Sequence, residues 1–90
     1  MQNQEEEELL RLGDEAEILI SNPAFNSTVN QLVDVSFQAF VNSKPEDKEG
    51  RERSYNHYRA LVDIVSTLQQ RVSVRDEINN KAGDNNQEDE

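Results

Sequence analysis

Ser43-Lys44-Pro45-Glu46-Asp47-Lys48-Glu49-Gly50-Arg51-Glu52-Arg53 opens a long stretch in which apolar residues recur at helical spacing. The stripe is Tyr58, Leu61, Val65, Leu68 and Val72, with steps of 3, 4, 3 and 4. Such steps return to one side of an α-helix on every turn. The quoted segment holds a turn, a helix start and four of the nine lysines and arginines. Lys44-Pro45 ends whatever helix precedes it, because the residue before a proline avoids helical angles. Ser43 and Glu46 have capping-box spacing, and Asp47 is a second N-cap candidate with Gly50 three residues on. A helix over about 47–79 follows.

Working back, Asn22-Pro23 pairs a favoured N-cap with the residue favoured at the first helical position. A helix over 23–42 is predicted from Phe25, Val29, Leu32, Ser36 and Phe40. It holds all three phenylalanines, so it is the expected centre of the core. A strand at 32–41 competes, on the strength of its β-branched residues, but the periodicity opposes it. Leu9, Leu12, Ala16 and Leu19 predict a first helix over 4–21, with Glu5 to Glu8 in its first turn. Gly13 inside it costs about 1 kcal/mol relative to alanine. Residues 80–90 are polar, acidic and free of large apolar groups, which predicts a disordered tail.

The fold class expected is therefore all-α: an antiparallel helical hairpin turning at 44–50. An N-terminal helix is laid across it or projects from it. One domain of residues 1–79 holds these elements.

Charge sorts the functions. The 90 residues carry a net charge of −10. Residues 1–20 contribute −6 and residues 81–90 contribute −3, whereas residues 44–60 sum to +1. Acidic ends repel nucleic acid, so direct binding to phosphate is not expected. No apolar run approaches the roughly 20 residues that span a bilayer. The start of the chain lacks the basic region and apolar core of a signal peptide. Cysteine is absent, which removes disulfides and thiolate zinc sites and fits a reducing cytoplasm. A chain this short needs reinforcement, and self-association or a partner remains.

No catalytic group is expected. His57, Tyr55 and Tyr58 fall within one helical turn, but no nucleophile or paired carboxylate accompanies them. They read as packing aromatics beside a half-exposed histidine. The acidic runs lack the spaced ligands and turn glycine of a calcium loop. Neither a metal nor a cofactor is expected.

Asn22-Pro23-Ala24-Phe25, followed about twenty residues later by Pro45-Glu46-Asp47-Lys48-Glu49-Gly50-Arg51-Glu52-Arg53, resembles a family of small tailed-phage proteins. Those share an Asn-Pro-x-Phe helix start, a Pro-x-Asp-x-Glu-Gly-Arg-Glu turn and a long closing helix. The resemblance spans roughly residues 16–78. It departs where relatives often carry Trp, at Phe40, and at Ser54-Tyr55, where they carry Leu-Trp or Leu-Tyr. It implies a phage setting and a helical hairpin, and no activity.

The resulting expectation is a protein–protein interaction module. It would be a structural or assembly accessory working with head, portal or packaging proteins, in the host cytoplasm or the virion, and forming homo-oligomers. Arg51 and Arg53 are the expected polar anchors, since guanidinium forks hold interfaces better than lysine. Val62, Ile64 and Ile78 are the expected apolar contacts. The turn and cap residues are Asn22, Pro23, Ser43, Pro45, Asp47 and Gly50. An acidic inhibitor of a host enzyme, mimicking DNA phosphate, is the alternative.

Overall fold

The computed structural model describes residues 2–88, with side chains for residues 3–83. Three helices account for nearly all of it: α1 (Gln2–Ile20), α2 (Pro23–Val41) and α3 (Lys48–Glu88). There is no strand among the described residues. The protein is all-α.

The breaks are local chemistry. Asn22 has extended backbone angles, and its Oδ1 accepts from the N–H groups of Ala24 at 2.9 Å and Phe25 at 3.1 Å. Pro23 takes the first helical position, where no N–H is missed. At the other end of α2, the Ser43 hydroxyl turns back and donates to the Phe40 carbonyl at 2.6 Å. The Ser43–Glu46 capping box therefore does not form. Ser43 lies too far upstream, since α3 begins only at Lys48. Instead a turn around Pro45 closes with Asp47 N–H on the Lys44 carbonyl at 3.0 Å. Asp47 then caps α3, its Oδ1 accepting from Gly50 N–H at 3.1 Å. A Cβ at Gly50 would meet the Asp47 carboxylate, which would have to shift to make room. Asn22→Ala and Asp47→Ala should each lower stability by about 1 kcal/mol, the usual cost of a lost N-cap. Urea unfolding followed by circular dichroism would show it, and unchanged midpoints would mean that the caps are idle.

Two compact units make up the chain. Residues 22–66 form the first, α2 against the N-terminal part of α3. Phe37 meets Tyr58 with ring centroids 5.7 Å apart, and Phe40 meets Tyr55 at 5.8 Å. Three residues forward on α2 is three back on α3, so the pair is antiparallel. The inward positions of α2 are Phe25, Val29, Val33, Ser36 and Phe40. Val33 replaces the expected Leu32, which is 45% exposed. The seam passes over the small, buried Ser36.

The second unit joins residues up to Ser21 with those from Thr67 onward. Here α1 lies on the later part of α3. Ala16 is buried, and so is Gly13. A Cβ on Gly13 would overlap the Arg75 Cβ and stand 2.8 Å from the Arg71 carbonyl oxygen. Gly13 has no positive φ, so its helix cost is met for space, not for backbone freedom. Arg75 then reaches across to α1. It donates to Asp14 at 2.9 Å, to Glu17, and to Asp76 on its own helix at 2.8 Å. The bonds to Glu17 first, then Asp76 and Asp14, hold its guanidinium above its ordinary pKa.

Disorder was expected over 80–90, but α3 continues through Glu88. Residues 89 and 90 lie outside the described residues. No proline interrupts this run, and extending an existing helix adds a hydrogen bond for each residue fixed. Lys81 pairs with Glu77 one turn back at 3.7 Å. The composition argument holds in one respect, since a Cβ at Gly83 would meet nothing within 4 Å. The extension there is unpacked.

Candidate functional site at the hairpin turn

Within the first unit, the turn and the helix ends beside it enclose an open cleft of about 390 Å3. Phe40, Pro45, Lys48, Arg51, Glu52 and Tyr55 line it. Its geometry follows from the local sequence. Steps of 3, 1 and 3 from Lys48 to Tyr55 put four side chains on one side of α3. Phe40 is in the last turn of α2, and Pro45 holds the turn between them.

Aromatic surface forms one wall. The Phe40 and Tyr55 rings are tilted 54° to each other, a favourable edge-on contact. The Arg51 guanidinium lies over the Phe40 ring, 5.4 Å from its centroid. A stacked guanidinium keeps its in-plane N–H donors available to a carboxylate.

Charge adds to the cleft. Among the described residues, ion pairs involve Arg11, Arg59, Arg75 and Lys81. Lys48 and Arg51 are in none of them, although the chain is strongly acidic. Asp47, four residues before Arg51, instead caps Gly50. Lys48 and Arg51 therefore stand outside any ion pair beside an aromatic wall, with Glu52 as the one acid in the lining.

The other expected contacts do not converge. Arg53 is two residues from Arg51, which is about 200° round the helix. The two arginines face nearly opposite ways. Val62 and Ile64 are separated by the same angle, so they share no surface. Val62 and Ile78 are half-buried, whereas Ile64 is 52% exposed. Val74 lines a smaller cleft of the second unit with Leu9, Leu12, Thr67, Gln70 and Arg71. His57 is exposed, and Tyr58 instead meets Phe37.

Sequence alone places Phe40 in the core and Tyr55 among the packing aromatics, whereas in the structure both line the cleft. The available signal was an aromatic one turn before a Lys-Pro turn and another one turn after an arginine. Among the described residues, no group of His, Cys, Asp or Glu is placed to hold a metal ion. No helix among them is long and apolar enough to cross a membrane.

No known family model, curated protein or solved structure matches this chain.

Proposed function

We propose that this chain is a non-enzymatic helical interaction module, a structural or assembly accessory that binds head, portal or packaging proteins of a tailed phage. The phage setting rests on the motif resemblance around Asn22-Pro23 and Pro45–Arg53. The binding mode rests on one observation: two cations outside any ion pair beside the half-buried Phe40 and the exposed Tyr55, in a chain of net charge −10. The partner such a cleft suits is a protein segment with a carboxylate for Arg51 and an apolar side chain for Phe40 and Tyr55.

The acidic-inhibitor alternative draws less support. On α1, Glu8 and Glu15 are paired with Arg11, and Asp14 and Glu17 with Arg75. Acids engaged by arginine offer a weaker copy of a phosphate row.

A tagged pull-down from phage-infected cells tests the proposal. The wild type should retain head, portal or packaging proteins, and Arg51→Ala should retain at least about tenfold less, the loss of a guanidinium anchor. Capture of a host polymerase, nuclease or defence protein, insensitive to Arg51→Ala, would replace this reading with the inhibitor one.

A further inference from the structure

The two helical contacts of this chain are built differently. In the hairpin unit large side chains meet, Phe37 on Tyr58 and Phe40 on Tyr55. In the second unit, the residues of α1 that are buried are Gly13 and Ala16. Neither carries more than a methyl group. The large apolar side chains of α1 are half-buried or exposed, with Leu9 and Leu19 at 41% and Ile18 at 70%. The apolar area that α1 removes from water is therefore small for a helix of 19 residues.

Charge supplies the rest of the hold. Arg75, its side chain 13% exposed, donates to Asp14 at 2.9 Å and to Glu17. These are the ion pairs that join α1 to another helix among the described residues, since Arg11 pairs with Glu8 and Glu15 inside α1. Asp14 and Glu17 are three residues apart, so both stand on the same side of α1. Gly13 lets the α1 backbone approach the stem of Arg75, which sets the guanidinium beside them. Both carboxylates are exposed, and water competes for them.

We infer that α1 is a detachable strap, latched to α3 by Arg75 on Asp14 and Glu17, which lets go while the α2–α3 hairpin stays folded. Segments open locally in the order of the buried contacts they break. A helix held by a small apolar area and water-facing acids lies at the low end of that order. Once released, α1 melts. Gly13 interrupts its interior, and most helical stability in proteins comes from packing that the free helix lacks. Release uncovers the side of α3 that carries Arg71 and Arg75, where Gly13 now lies.

This device does not depend on the phage reading, and amide hydrogen exchange on the purified full chain tests it alone. Protection factors over residues 10–19 of α1 should be at least about tenfold below those over residues 29–36 of α2. Arg75→Met keeps the stem that packs on Gly13 and removes the guanidinium. It should lower protection in α1 by about a further fivefold and leave residues 29–36 within about twofold of wild type. Asp14→Asn with Glu17→Gln breaks the same latch from its exposed side, where folding is not at stake, and should act alike. Equal protection of α1 and α2 in the wild type would mean that the chain opens as one body, and overturns the inference. So does an Arg75→Met variant that speeds exchange in both helices together. An Asp14→Asn, Glu17→Gln variant that leaves α1 unchanged overturns it as well, whether or not Arg75→Met folds.

Discussion

Leu68→Ala should lower the stability of the chain by about 2–3 kcal/mol, the usual cost of emptying a buried leucine site. Leu68 is the one large apolar side chain below a tenth exposed among the described residues, at 8%. Few neighbouring contacts can compensate, because most apolar residues here are half-buried or exposed. For a domain of this size, the loss corresponds to a fall in Tm of about 10–20 °C. Ile64→Ala is the matched control. Ile64 is 52% exposed, and alanine is the better helix former, so the change should stay within about 0.5 kcal/mol. Thermal unfolding by circular dichroism separates the two. Similar effects at both positions would mean that Leu68 is not the buried residue described.

Gly13→Ala should destabilise, although alanine is the better helix former by about 1 kcal/mol. The added Cβ would meet the Arg75 Cβ and the Arg71 carbonyl oxygen. Both are held by the α3 backbone and cannot swing aside as a flexible side-chain end can. The helices must separate, at an overpacking cost of about 1–3 kcal/mol. Separation also draws Asp14 and Glu17 away from Arg75. The net expectation is a loss of about 1–2 kcal/mol, combining those two effects. Gly83→Ala makes the same chemical change where nothing lies within 4 Å, so it should raise helicity. Urea unfolding midpoints that move in opposite directions for the two glycines would support the close approach. A stabilising Gly13→Ala would exclude it.

These predictions mark where reading along the chain works. Asn22-Pro23 and Asp47 act on backbone groups two or three residues away, so their roles are written in the local sequence. The expected Ser43–Glu46 box obeyed the same spacing rule and failed because the turn at Pro45 delayed the helix start to Lys48. Leu32 was assigned to the seam on a spacing that Val33 satisfies equally well. Helical periodicity allows either, and the choice depends on how closely α3 approaches Ser36. Arg51 and Arg53, both expected anchors, face nearly opposite ways because two residues on a helix are about 200° apart, and the same angle separates Val62 from Ile64.

Composition and periodicity alone determined that the chain is helical, where its helices break, and that its middle is its least acidic part. Those properties depend on residues within a few positions of one another. Tertiary structure alone decided that Gly13 is a contact point, that Arg75 ties α3 to α1 about sixty residues away, and that Phe40, Arg51 and Tyr55 share one cleft. Each of these depends on which sides of two helices meet, and an amphipathic pattern states that a helix has an apolar side without stating what will cover it.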